Sequence, residues 1–246
     1  MPPGGRRARA GAAATALWGA LSDLVLPAAC AGCGHEGLPL RFEVCDGCTV
    51  ELDRLRALPT RPQPAPDGLP ECVTLGDYDG RLRELILAYK ERGRHRLARP
   101  LGALLAEAVA AVVPRSPVLL VHVPDTAAAA RARHGDHMLL LARGTAARLR
   151  EAGRPVGQAQ PLRALPKADS AQLTSAQRAL AALGGFTTAP GQVAAARRAA
   201  AGSVVVLLDD IVTTGATLSA AAACLARAGV RVEVCVTLAA TRRTRP

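Results

Sequence analysis

Apolar positions along the 246-residue chain change their period several times, and the changes lay out an order of elements. "CVTLGDY" (72–78) reads as a strand. "GRLRELILAYKERGRHRLARPLGALLAEAVAAVV" (80–113) carries apolar residues at helical spacing on both sides of Gly93, so it predicts two helices broken there. From residue 116 strands and helices alternate. A buried strand in "SPVLLVHVP" ends at Pro124, a helix over "HMLLLARGTAARLREAG" stops at Gly153, and a weaker strand lies in "VGQAQPLRAL". Residues 174–183 read as helical. "SVVVLL" then reads as a central strand, "ATLSAAAACLARAG" as a helix and "VRVEVCVTLAA" as another strand. Continuous apolar strands alternating with helices predict an α/β fold whose parallel sheet is covered on both faces. Earlier in the chain Leu17, Leu21, Leu24 and Val25 share one face of an expected amphipathic helix. Prolines at 59, 62, 64, 66 and 70 make "LPTRPQPAPDGLP" an extended spacer. The expected division is therefore 1–58 for a helix and a cysteine module, 59–70 for a linker, and 71–246 for the α/β domain.

Half of the residues are apolar but only 2% are aromatic, so a core is available and must be filled by Ala, Val and Leu. The net charge of +11 favours anionic partners, whether nucleic acid, phosphorylated metabolites or acidic membrane surfaces. Much of it lies in "RRAR" and "TRRTR", which read as solvated tails. Arg6 and Arg7 before "AGAAATALWGAL" have the outline of an export signal, and "LPAAC" that of a lipoprotein cleavage site. Asp23 inside the apolar run, and Pro27 where an aliphatic residue is wanted, favour the helix instead. No stretch reaches the 18 or more uncharged apolar residues that a membrane span needs, and a cytoplasmic location is expected.

Candidate chemistry is concentrated in two places. "CAGCGHEGLPLRFEVCDGC" holds Cys30 and Cys33, then Cys45 and Cys48, two C-x2-C knuckles able to turn four thiolates toward one point. That is the geometry of a structural Zn2+ site with no position open for catalysis, with His35 as an alternate ligand. Two disulfides are the competing reading, and they suit an oxidising compartment. Cys72, Cys224 and Cys235 stand apart and read as core residues.

The second place is "VVVLLDDIVTTGATL" (204–218), a strand running into Asp209 and Asp210 and then into a loop before a helix. Backbone N–H groups at a helix N-terminus favour an anion. Gly215 lets the backbone approach it, and Thr213, Thr214 and Thr217 add hydroxyls. The aspartates would repel a phosphate held directly against them, but suit ribose hydroxyls or a Mg2+-bound ligand nearby. A sugar carrying a 5-phosphate satisfies both.

The thirteen residues "VVLLDDIVTTGAT" resemble the phosphoribosyl-pyrophosphate (PRPP) signature of type I phosphoribosyltransferases. Together with the knuckle pair, the "LSDLVLP" before it, "LAYKERGRHRLARPLG" and a strand ending in "VP", the chain from residue 17 resembles the ComF family. Members are phosphoribosyltransferase-like proteins, several of them linked to natural competence and DNA uptake. The resemblance implies a type I phosphoribosyltransferase-like parallel sheet flanked by helices, with a small N-terminal zinc-knuckle module. It implies ribose contacts from Asp209 and Asp210, a 5-phosphate held by Thr213, Thr214, Gly215, Ala216 and Thr217, and a pyrophosphate facing Asp125 and Thr126. Lys90 and Arg94 read equally as positive charge near this site or as a solvated helix end.

There are departures from the family pattern. Where relatives carry Arg-Gly-Phe-Asn-Gln this chain has "RARHGDHM", whose His134 and His137 read as acid–base groups or, more commonly, as surface residues. Ser170 precedes Leu173 where Gln-x-x-Leu is usual, and Ala181 follows Arg178 where Arg-x-x-Asn is usual. Three functions stay open. One is Mg2+-dependent transfer of a 5-phosphoribosyl group to an acceptor that the sequence does not name. Another is a non-catalytic module of the DNA-uptake machinery that senses PRPP or binds single-stranded DNA. The third is an adaptor whose cysteine module docks a helicase-like protein. Trp18, Phe42, Tyr78, Tyr89 and Phe186, the residues able to stack on bases, are scattered.

Overall fold

The computed structural model describes residues 29–113, 115–133, 135–166 and 185–241. The helices expected around residues 17–25 and 174–183 lie outside the described residues, as do His134, Ser170, Leu173, Arg178 and Ala181. In chain order, β1 (Leu40–Arg41) and β2 (Val44–Cys45) form a hairpin that leads into α1 (Asp46–Leu52). Phe42 and Glu43 make its turn with φ of 50° and 67°, the doubly left-handed pattern of a type I′ turn. Next come β3 (Leu58–Thr60), β4 (Glu71–Thr74), α2 (Gly80–Glu91) and α3 (Ala98–Val112). They are followed by β5 (Val118–His122), α4 (Ala127–Ala132), α5 (His137–Glu151), β6 (Val156–Ala159) and β7 (Leu162–Ala164). The remaining elements are β8 (Phe186–Thr188), α6 (Pro190–Ala200), β9 (Val204–Val212), α7 (Ala216–Arg227) and β10 (Val234–Ala240).

Six strands form the main sheet in the order β3-β4-β10-β9-β5-β6, parallel throughout except for β3, which runs antiparallel to β4. The α/β expectation holds. A single strand expected over 156–165 is instead two, β6 in the main sheet and β7 paired with β8. Pro161 lies between them and cannot donate to a ladder. Helix α6 went unforeseen because it buries only Ala196 and so shows no apolar stripe.

Successive strand residues serve opposite faces. Val118, Leu120, Val206 and Leu208 belong to one core with α2, α3 and α5, whereas Leu119, Val121, Val205 and Leu207 belong to another with α6 and α7. Cys30, Cys45 and Cys48 are part of the first core, so the cysteine module is packed into the α/β body. Each fully buried Leu or Ile is worth about 1.5–3 kcal/mol, and Leu85, Ile86, Leu97, Leu101, Leu105, Leu141 and Leu207 are among those below 2% exposure. That is how a chain poor in aromatics fills its interior. Where α3 meets α5, a Cβ on Gly102 would lie 3.0 Å from the Thr145 nitrogen, and one on Gly144 would lie 3.0 Å from the Ala98 oxygen.

The proline-rich stretch lies against the first turn of α7. Leu69 is buried in the second core, a Cβ on Gly215 would stand 2.9 Å from Leu69 Cδ2 and 3.3 Å from Pro62 Cγ, and the Ser219 hydroxyl donates to the Asp67 carbonyl at 2.9 Å. No helix among the described residues is long and apolar enough to cross a membrane.

Candidate functional site

Strands β5 and β9 are neighbours, but α5 follows β5 on one face and α7 follows β9 on the other. Such a pair leaves a crevice at its C-terminal ends, the usual ligand position in an open parallel sheet. Asp209 and Asp210 stand in β9 at that end. As successive strand residues they project to opposite faces, and their surroundings differ. Asp210 Oδ2 lies 2.7 Å from Lys90 Nζ in the last turn of α2 and 2.8 Å from His137 Nε2 at the start of α5. Burial would raise its pKa, but the His137 hydrogen bond and the Lys90 charge hold it below the ordinary carboxylate range. Asp209 is partly buried, and its Oδ1 accepts the Asp210 N–H at 3.0 Å. Burial, then the charge of Asp210, pushes its carboxyl up to about 8.

The surface reading of His137 is overturned: the residue is only 6% exposed. Its Nδ1 is hydrogen-bonded to Asp125 Oδ2, the same oxygen accepts its backbone N–H at 3.1 Å, and its carbonyl accepts the Tyr89 hydroxyl at 2.7 Å. Burial works against a charged imidazole, but the hydrogen bonds to Asp125 and Asp210 outweigh it and push the pKa up to about 9. The two carboxylates thus favour the charged form of the ring that lies between them. Arg133 then joins Asp125 Oδ1 at 3.4 Å to Glu91 Oε1 at 3.1 Å, and Glu91 is the residue after Lys90. Six side chains of alternating sign, Lys90, Asp210, His137, Asp125, Arg133 and Glu91, thus start and finish on α2.

The other expected residues divide. Thr213, Thr214, Ala216 and Thr217 are exposed around the start of α7, and Gly215 takes φ 76° as its N-cap. The first N–H groups of that helix have no intrahelical acceptor. Thr126 caps α4, its hydroxyl accepting the Ala129 N–H at 3.2 Å, and the Asp125 carboxylate is committed to His137 and Arg133. Lys90 is at the acid pair, whereas Arg94 donates to the Ala29 carbonyl at 2.6 Å and so binds the cysteine module. Sequence reasoning missed Glu91 and Arg133, and named Tyr89 only as an aromatic able to stack on bases. The available signal was Asp136, whose side chain caps α5 by accepting the Leu139 N–H at 2.9 Å and thereby puts His137 at the head of that helix.

The four knuckle cysteines converge. Their sulfurs all lie within 4.8 Å of one another, with Cys30–Cys48 at 3.8 Å and Cys33–Cys45 at 3.7 Å. Sulfurs around a tetrahedral ion at Zn–S distances would be about 3.8 Å apart. Burial raises the Cys30 thiol, but backbone donors of Cys33, Cys45 and Gly32 outweigh it and bring the pKa to about 6, while burial and the neighbouring sulfurs push Cys48 up. Sulfurs this close cannot all ionise without a cation between them. The cluster could hold a metal ion.

A separate cleft of about 800 Å³ lies between the β1–β2 hairpin, α1, α3 and α5, and none of the six charged residues above lines it. Arg41, Arg99, Arg143 and Arg148 line it with Phe42, and the guanidinium of Arg99 stands 4.7 Å over the Phe42 ring.

Residues 163–246 match the family model of the phosphoribosyl transferase domain. The matched stretch contains β9 with its acid pair, the threonine–glycine loop, α7 and β10. No curated protein matches the chain. The molecule is thus an α/β protein with a phosphoribosyl transferase domain in its C-terminal half, preceded by a four-cysteine cluster that could bind metal.

Proposed function

We propose that the chain binds PRPP with Mg2+ at the β5–β9 crevice and transfers its 5-phosphoribosyl group to an acceptor. The observation that carries this reading is the segment 209–217. It joins a carboxylate at the strand end to an exposed helix N-terminus flanked by threonines, inside the stretch matched to the transferase domain. The Thr213, Thr214 and Thr217 hydroxyls and the first N–H groups of α7 hold the 5-phosphate. Asp209 takes ribose hydroxyls, with Asp210 fixed behind it by Lys90 and His137. The turn at Asp125 and Thr126 faces the pyrophosphate. Mg2+ bound together with PRPP would supply charge neutralisation on the leaving group. The bond from ribose C1 to the pyrophosphate oxygen breaks with its electron pair on oxygen. A bond from C1 to the acceptor's nucleophile forms, and the acceptor's proton passes to solvent. Zn2+ in the cysteine cluster is structural, because four thiolates leave no coordination position open. The reading is of a cytoplasmic protein.

Calorimetric titration with PRPP and Mg2+ tests it. Saturable heat is expected from the wild type, with an affinity at least about ten-fold weaker in Asp209→Asn, a loss of about 1.4 kcal/mol. No heat from the folded, metal-loaded wild type would sink it. A second reading, single-stranded DNA handling in a DNA-uptake pathway with a helicase-like partner, is favoured by the arginines gathered around Phe42. Its mark is binding that falls steeply with salt and weakens in Arg99→Ala. No binding of a single strand at low salt removes it.

A further inference from the structure

The charged ring at the crevice holds the two strand ends in one arrangement, and His137 is where the ends meet. Asp125 follows β5 and Asp210 belongs to β9. One imidazole ring engages both, Nδ1 with Asp125 and Nε2 with Asp210. Neither nitrogen is left over for a substrate proton, so the acid–base reading of this histidine does not fit its geometry. Neither of the other cations engages both strand ends: Lys90 binds Asp210, and Arg133 binds Asp125 together with Glu91 on α2. Without His137 no single side chain joins the β5 turn to the β9 end, and only the longer route through Arg133, Glu91 and Lys90 on α2 is left. The Asp125 and Asp210 carboxylates would then face each other with no cation between them, Lys90 and Arg133 holding only their far sides.

We propose that His137 is a positioning residue that couples the two halves of the crevice, so that an anion at the Asp125–Thr126 turn and a sugar phosphate at the Asp209–Thr217 loop tighten each other's binding. This rests on the phosphoribosyl reading above. A ligand that draws on the β5 turn moves Asp125, and with it the ring that fixes Asp210. Coupling of this kind is reciprocal. The groups bonded to the imidazole are the Asp125 and Asp210 carboxylates, with the Tyr89 ring edge-on at 6.0 Å from α2, Asp136 and Asp209 close enough to feel its charge, and Lys90 and Arg133 one bond further out. Every partner is held by its own element, so a displacement at one end is passed on.

Pyrophosphate and ribose 5-phosphate, each with Mg2+, are the probes. Each is titrated calorimetrically alone and in the presence of the other at saturation, into wild type, His137→Gln and Arg133→Gln. In the wild type each probe is expected to tighten the other by about five-fold or more. In His137→Gln the coupling falls to about one-fold, while the affinities for the single probes change less than the coupling does. Arg133→Gln opens the ring at its more exposed corner, leaves the imidazole bridge in place, and keeps part of the coupling. A spectroscopic readout needs no ligand: in histidine-labelled wild type both His137 ring nitrogens carry protons at neutral pH, and Asp125→Asn removes that signature. Full coupling in folded His137→Gln, or a neutral His137 ring in the wild type, overturns the inference. A wild type that binds both probes without coupling overturns it while leaving the phosphoribosyl reading intact. A wild type that binds neither overturns both.

Discussion

His137 carries a proton that the folded chain holds more tightly than the unfolded one. Its pKa of about 9 lies above the 6.5 of a free imidazole, against the cost of burial, because Asp125 and Asp210 bond its charged form. The stabilisation is therefore complete below about 6.5, and disappears as pH rises through about 9. At about 1.36 kcal/mol per pKa unit it amounts to at most about 3 kcal/mol. In urea unfolding, the advantage of wild type over His137→Gln is expected to shrink steadily from pH 6.5 to pH 9. A difference that stays constant over that range would show that the ring is not charged. The same residue marks the limit of what its sequence neighbourhood could reveal. The cysteines and the Asp209–Thr217 segment were legible because their spacing is local, a few residues within one motif. His137 finds its carboxylates 12 and 73 positions away, and nothing in "RARHGDHM" distinguishes a buried bridge from a surface histidine. Arg94 shows the converse: a basic residue four positions after Lys90 is turned by the fold to a different task.

Between elements, the contact of α3 with α5 depends on two positions without side chains. A methyl group on Gly144 would press against the Ala98 carbonyl at 3.0 Å, and backbone cannot swing aside as a flexible side chain would. Gly144→Ala is expected to destabilise by about 1–3 kcal/mol, seen as a lower urea midpoint with an unchanged slope. Gly191→Ala in α6, where a Cβ meets nothing within 4 Å, serves as the control and should be neutral to slightly stabilising. Equal stability of Gly144→Ala and wild type would mean that the two helices separate freely. Both participating helices were readable from their apolar stripes, but the closeness of their crossing was not, because periodicity tells which face is buried and not against what. Helices α4 and α6 escaped for lack of a stripe: α4 buries none of its residues and α6 one.

For the molecule as a whole, the cysteine cluster and the crevice are mechanically joined. Three of the four cysteines share a core with α2, the helix whose last turn carries Lys90 and Glu91, and Arg94 beyond it grips the chain just ahead of Cys30. Removing a bound metal is therefore expected to lower stability and to weaken PRPP binding together. If the cluster contributes about 3 kcal/mol, Tm falls by about 6–12 °C for a domain of this size. Thermal melts and PRPP titrations before and after chelation check this, and a metal-free protein with unchanged Tm and affinity would contradict it. Alternating strands and helices announced a parallel sheet, yet the order of its strands is a matter of pairing that no local pattern encodes. That order places β10 between β4 and β9. A ribosome works from the other end, and it delivers this central strand after every other strand described here. Until then β4 with its β3 neighbour, and β9 with β5 and β6, are two unjoined pieces with bare apolar edges of the kind that invite aggregation. Synthesis thus leaves these strand edges bare until β10 emerges, and a nascent-chain chaperone has more to do here than for a sheet built in order.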